Sequence, residues 1–362
     1  MTKEFLRTLK ALVQVVSVSR DERAVADHVL ACCRRMGAHA KEDQAFKTIG
    51  GNAGNITAFP KGTAPSAAHT LFVSHLDTVG VGAKGVFKMD RKRLKAAGNY
   101  PIGIDNRLGV ALMLELLRTV PGPYACAFTV QEEIGMFGAA ALAIPKSIRR
   151  IFVLDGSREP GHFVLSTVGG VTFRVTVVGK GSHAGIHPNG GINAIQVASR
   201  AIARLTLGMP GKNVSVNIGR IEGGTASNVV AARAVVVGEV RANTEKRMKL
   251  EMERVKTVFA GEAKKAGAVI EFATEDMFKP YAHRLDSKIV MDCKSAACEA
   301  CLKPDFTHYR GGSDANVFNF MGVRAVNISI GAHNPHSEKE YADFRETEQA
   351  FALVKALARS SV

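Results

Sequence analysis

Short apolar runs in this chain end in residues able to bind a metal or move a proton. Thr70-Leu-Phe-Val-Ser74 leads into His75-Leu-Asp77, Ala125-Cys-Ala-Phe-Thr-Val130 into Gln131-Glu-Glu133, and Ile151-Phe-Val-Leu154 into Asp155. Runs of this length and composition read as buried strands. Amphipathic stretches alternate with them: Phe5 to Met36 and Arg107 to Thr119 are helical by period, and GAAALAIPKSI reads as a helix between the later strands. Strands separated by helices predict an α/β layered sheet, and in such sheets the carboxyl ends of the strands meet at one crevice. His75, Asp77, Glu132, Glu133 and Asp155 should therefore converge, joined by Asp105 from the loop Gly103-Ile-Asp-Asn-Arg-Leu-Gly109. Carboxylates gathered around a histidine repel one another unless a cation lies between them. Histidine nitrogen mixed with carboxylate oxygen suits zinc, or manganese and cobalt, better than calcium. Glu132 and Glu133 are adjacent, so alternation sends them to opposite sides and each needs its own task.

A length of 362 residues suggests two domains. At 46% hydrophobic and 22% charged the composition is that of a globular protein, and no apolar run approaches the ~18 residues of a membrane span. The periodic, charged start lacks a small-residue cleavage site, so a cytoplasmic protein is expected, with no membrane partner. A net charge of +15 raises the question of nucleic acid, but the positive residues are dispersed, Trp is absent and aromatics are only 6%, so none is expected. Cys298-Glu-Ala-Cys301 faces no second pair and lies in a helical stretch, where reduced cysteines on an apolar face are the better reading than zinc or redox chemistry.

The pattern changes after Ser166. Val171 to Val178 alternates as a strand, Ile192 to Leu207 is a helix, and Val214 to Arg220 and Ala232 to Arg241 are strands. A charged helix from Thr244 to Ala266 and a strand from Ala268 to Ala273 complete a β-α-β-β-α-β order, the ferredoxin-like split unit. The helix–strand alternation resumes at Asp286, so residues 167–278 are expected as an inserted domain within a larger one made of 1–166 and 279–362.

The motifs SHLDTVG (74–80), GIDNRLG (103–109), QEEIG (131–135), VLDGS (153–157), GSHAGIHPNGGINA (181–194), GRIEGGTASNVV (219–230), RGGSDANVF (310–318) and NPHSEKE (334–340) together resemble the M20 family of metallopeptidases, close to its peptidase T-like (tripeptide aminopeptidase) branch. The first three also resemble the related M42 aminopeptidases, whereas the inserted domain and HSEKE match M20. The resemblance implies a zinc-exopeptidase-like catalytic domain with an inserted ferredoxin-like lid and dimerisation domain. It implies two divalent ions per chain, most simply zinc with cobalt or manganese possible. His75 and Asp155 would hold one, Glu133 and His336 the other, and Asp105 would bridge them. Asp77 would orient His75, and Glu132 would take a proton from the attacking water and pass it to the leaving amine. From the inserted domain His183 would stabilise the oxyanion across a homodimer, and Asn228, Arg310 and Arg241 would bind substrate. Relatives commonly read Gly-x-Asp-Asp-Lys where this chain has Asp105-Asn106-Arg107, which alters the hydrogen bonds beside the bridging aspartate. An Asp at position 155 accompanies aminopeptidase or dipeptidase activity in the family, whereas carboxypeptidases and deacylases tend to carry Glu. Cleavage of short peptides with a free amino terminus is therefore expected, with an N-acyl amidohydrolase or a carboxypeptidase as the alternative and a catalytically silent metal-binding scaffold as a remote one.

Overall fold

The computed structural model describes residues 2–80 and 86–360. Two compact units are formed: Met1–Leu165, Ala282–Tyr309 and Ser313–Val362 make the first, and Ser166–Tyr281 with Arg310–Gly312 the second. The short Arg310–Gly312 segment thus falls with the inserted unit, although its position in the sequence placed it with the larger one.

The first unit is built on an eight-stranded sheet in the order His39–Glu42, Ile56–Phe59, Tyr124–Thr129, Thr70–His75, Arg150–Gly156, Arg324–Ser329, His162–Thr167, Asp305–Tyr309. Its four middle strands, Tyr124–Thr129 to Arg324–Ser329, run parallel. Every residue of Thr70–His75 and Tyr124–Thr129 is buried, as expected where helices cover both faces of a parallel sheet. The parallel direction brings the carboxyl ends of these strands to one edge.

The helix Ile104–Thr119 is buried along almost its whole length and crosses close to the sheet at Gly109. A methyl group there would lie 2.6 Å from the main-chain oxygen of Leu154 and 2.3 Å from Asn106 Oδ1. Because the strand carbonyl cannot yield, Gly109→Ala is expected to destabilise the fold by about 2–3 kcal/mol. Urea unfolding measures this, and an unchanged midpoint would contradict the close approach.

Two expected helices are shorter than their periodicity suggests. The stretch Phe5 to Met36 is two helices, Lys3–Gln14 and Arg23–Met36. Between them Val15, Val16 and Val18 carry the apolar pattern on without favouring helix. The chain opens there to bond the loop that follows Thr70–His75: Ser17 Oγ donates to Leu76 O at 2.7 Å, and Thr78 N donates to Ser17 O at 2.9 Å. Of GAAALAIPKSI only its first four residues are helical, within Phe137–Ala141, since a helix carried on to Pro145 would press its ring against the carbonyl of Ala141.

The second unit is a five-stranded antiparallel sheet in the order Gly208–Gly211, Val214–Gly223, Arg233–Ala242, Gly169–Val178, Val269–Phe278. The helices Ala194–Arg204 and Glu245–Ala266 bury Val197, Ala201, Val255 and Phe259 in one core with Phe173 and Val236 of the sheet. Asn193 and Thr244 cap the two helices through their side chains, and left-handed Gly267 (φ 73°) ends the second. The expected β-α-β-β-α-β order gains a short edge strand, Gly208–Gly211, whose Gly-Met-Pro-Gly sequence has no strand periodicity.

Cys32, Cys33, Cys126 and Cys293 are buried, but Cys298 and Cys301 are exposed. The apolar-face reading therefore fails for that pair: the helix Lys288–Glu299 ends before Cys301, which is left-handed at φ 55°.

Candidate metal centre and active site

His75 is the last residue of its strand and Asp155 the second-last of Arg150–Gly156. Asp105 lies in the first turn of Ile104–Thr119, where it and Asn106 leave helical geometry. Glu132 and Glu133 follow the strand Tyr124–Thr129 after a left-handed Gln131 (φ 55°), and His336 sits in a left-handed turn (φ 61°) beyond Arg324–Ser329.

The structure brings these side chains together. His75 Nε2 is 3.2 Å from Asp105 Oδ1 and 3.5 Å from Asp155 Oδ1. On the far side of Asp105, His336 Nε2 is 3.3 Å from its Oδ2 and 2.9 Å from Glu133 Oε1. Asp105 thus stands between two histidines, one oxygen toward each. His75 Nδ1 lies 2.9 Å from the main-chain oxygen of Asp77, and donating its proton there leaves the Nε2 lone pair facing the carboxylates.

The electrostatics show a site with surplus negative charge. Burial and the neighbouring Asp105 push the Asp155 carboxyl up to about 7. Burial also raises Glu132 well above the ordinary carboxylate range; His75 opposes this, while Asp155, Asp314 and Glu133 add to it. Hydrogen bonds to Asp105 and Glu133 hold His336 up at about 10. Burial opposes charge on His75, but Asp105, Asp155 and Asp77 outweigh it and raise its pKa. A cation would relieve this repulsion, and one donor atom each from His75, Asp105 and Glu133 lies within 4.8 Å of the others. The donor set fits a divalent metal.

Residues 165–267 match the peptidase dimerisation domain of the M20 class, and residues 81–164 match the M42 glutamyl aminopeptidase family. The uncharacterized protein YqjE of Bacillus subtilis (strain 168) is 30% identical across 98% of this chain and 97% of its own length. The crystal structure of aminopeptidase PepT from Bacillus cereus superposes with a TM-score of 0.87 at 28% identity, covering 98% of this chain and 97% of that one. A tripeptidase from Staphylococcus aureus superposes with a TM-score of 0.90 at 25% identity and the same coverage. The chain belongs to the M20 family of metallopeptidases, on its peptidase T-like branch.

In this M20 enzyme Asp77 does something its spacing from His75 did not suggest. Its carboxylate is 3.5 Å from His75 Nδ1, with the shorter bond going to its main-chain oxygen. Besides that pairing, the carboxylate accepts the main-chain N–H groups of Glu132 (3.0 Å) and Glu133 (3.1 Å) and the Ser19 hydroxyl (2.6 Å). The Glu pair accordingly sits on a turn pinned from beneath and not on alternating faces of a strand.

The departure at Asn106-Arg107 also has a physical account. Asn106 Nδ2 donates to Asp155 Oδ1 at 3.2 Å, where a carboxylate would add repulsion. Arg107 is buried and donates to the carbonyls of Leu12 and Val15 and, at 3.0 Å, to Ser17 Oγ, tying the helix break to the centre. Sequence reasoning missed Arg107 as a tie, and it missed two buried acids. Asp314 accepts the Thr129 hydroxyl at 2.6 Å, and burial raises its carboxyl to about 6. Glu340 accepts three main-chain N–H groups. Both acids lie inside motifs already quoted, but burial of a charged residue leaves no trace in periodicity.

The remaining expected residues are in the second unit. His183 is exposed, and its Nδ1 accepts N–H groups from Gly185 and Ile186, both at 3.2 Å. That places the proton of the neutral ring on Nε2. Asn228 lies alongside: its carbonyl accepts Ala184 N at 2.9 Å, and Val229 bridges His183. Arg241 is held by Glu239 (3.0 and 3.2 Å) and donates to the carbonyl of Arg310 at 3.3 Å, while the Arg310 guanidinium is exposed beside Met209.

Proposed function

We propose that this M20 enzyme hydrolyses short peptides, releasing residues from a free amino terminus with the help of two divalent ions. The reading rests above all on the cluster of His75, Asp105 and Glu133 with the acid Glu132 beside it. His75 and Asp155 would hold one ion, Glu133 and His336 the other, and Asp105 would serve both. Zinc is the simplest identity for this donor set, with cobalt or manganese as alternatives. When bound, such a pair polarises the scissile carbonyl and lowers the pKa of water.

The chain's own groups supply the rest. Glu132 takes the proton of the attacking water and delivers it to the leaving amine, and its burial raises its proton affinity above that of an ordinary carboxylate. Asp77 keeps Glu132 and Glu133 in their turn. His183, with its proton on Nε2, is a donor for the tetrahedral oxygen, and Asn228 and Arg310 are the residues for binding substrate, with Arg241 supporting Arg310. A homodimer through the second unit belongs to this reading, supported by the match to the dimerisation domain. Among the described residues no helix is long and apolar enough to cross a membrane.

A panel of tripeptides, dipeptides and N-acetylated counterparts tests the substrate class on metal-loaded protein. Free-amine tripeptides should exceed their N-acetyl forms in kcat/KM by at least about tenfold, a difference of ~1.4 kcal/mol in transition-state binding. Preference for the N-acyl compounds would overturn the aminopeptidase assignment in favour of an amidohydrolase.

A further inference from the structure

The segment that carries Asp105 and the segment that carries His336 are far apart in sequence, yet one side chain joins them. Glu340 is 1% exposed. Its Oε2 accepts the N–H groups of Ile102 at 2.7 Å and Gly103 at 2.8 Å, and its Oε1 accepts that of Asp105 at 2.9 Å. Left-handed Gly103 (φ 71°) turns these three N–H groups toward a common point, the concave arrangement that favours an anion. Charge-assisted bonds of this kind are stronger than neutral ones.

At its other end Glu340 is tied to His336 through a tight turn. Glu340 N donates to Ser337 O at 3.1 Å, Ser337 Oγ to Asn334 O at 2.7 Å, and Lys339 N to Ser337 Oγ at 3.2 Å. His336 Nε2 then closes back on Asp105 at 3.3 Å. The path from Asp105 to Glu340, through the turn to His336 and across to Asp105 is a closed ring, so fixing one member fixes the others.

We propose that Glu340 is a positioning residue of the metal centre: its buried carboxylate sets Asp105 against His336 and so determines how tightly the divalent ions are held. This rests on the proposed dimetal reading. Outer partners of metal ligands commonly change affinity 10- to 100-fold when altered. In Glu340→Gln one oxygen becomes an amide that can only donate, facing N–H groups, so Asp105 loses its fixed direction while side-chain size is kept.

The test is calorimetric titration of metal-free wild type, Glu340→Gln and Asp292→Asn with manganese and with zinc. Asp292 is the control for a general loss of stability: it is a buried acid paired with Arg150 at 2.6 Å, and Arg150 begins the strand whose opposite end carries Asp155. The expected result is metal binding about 10- to 100-fold weaker in Glu340→Gln and unchanged in Asp292→Asn. Wild-type affinity in Glu340→Gln, or equal weakening in both variants, would overturn the proposal. Should Glu340→Gln fail to fold, amide exchange in the wild type decides: slow exchange at Ile102, Gly103 and Asp105 supports the clamp, and fast exchange refutes it. A wild type that takes up no divalent ion instead defeats the dimetal reading itself, so the two failures are distinguishable.

Discussion

Glu132→Gln should lower kcat by about 10²- to 10⁴-fold while leaving two metals bound, the range expected when a general acid–base group is removed. Gln matches Glu in size and cannot take up the water proton. The turn should survive, because Asp77 grips the main-chain N–H groups of residues 132 and 133 and not their side chains. Glu133, 2.9 Å from His336, remains available as a ligand. Glu133→Ala should behave differently, weakening metal uptake before it affects the turnover of the fully loaded enzyme. Near-normal kcat in Glu132→Gln on a good peptide substrate would remove Glu132 from its role.

His183→Ala should cost about 10²- to 10³-fold in turnover, the usual effect of losing one donor to a tetrahedral oxygen. The local structure supports this, since Nδ1 is occupied by two main-chain N–H groups and only Nε2 carries the free proton. If His183 serves the partner's centre in a two-fold dimer, inactive His183→Ala and inactive Glu132→Gln should complement when their subunits exchange. Random mixing makes half the dimers mixed, each with one complete site, so activity should return to about a quarter of wild type. Demonstrated exchange without recovery would eliminate action across the dimer.

The convergence of His75, Glu132, Glu133 and Asp155 was legible because strand periodicity locates strand ends, and parallel strands bring those ends to one edge. The inserted unit was legible for a similar reason, as its β and α periods are clean. Less visible were features set by main-chain paths. The turn that splays Glu132 and Glu133 depends on Gln131 entering left-handed space, and the break after Gln14 depends on Arg107 and Thr78 competing for main-chain carbonyls. The edge strand Gly208–Gly211 pairs through its backbone alone, so no side-chain pattern announces it. Glu340 illustrates the same point: a buried carboxylate bonded to N–H groups looks, in sequence, like any solvated acid.

The proposed mechanism has two metals, gathered by strand-end residues, drive peptide hydrolysis. Its most direct test is tripeptide hydrolysis by metal-free protein, measured against added equivalents of zinc, cobalt or manganese. Activity should rise from near zero and saturate at about two equivalents per chain. Hydrolysis that proceeds equally well in the fully chelated protein, or two bound equivalents that bring no hydrolysis of any free-amine peptide, would contradict it.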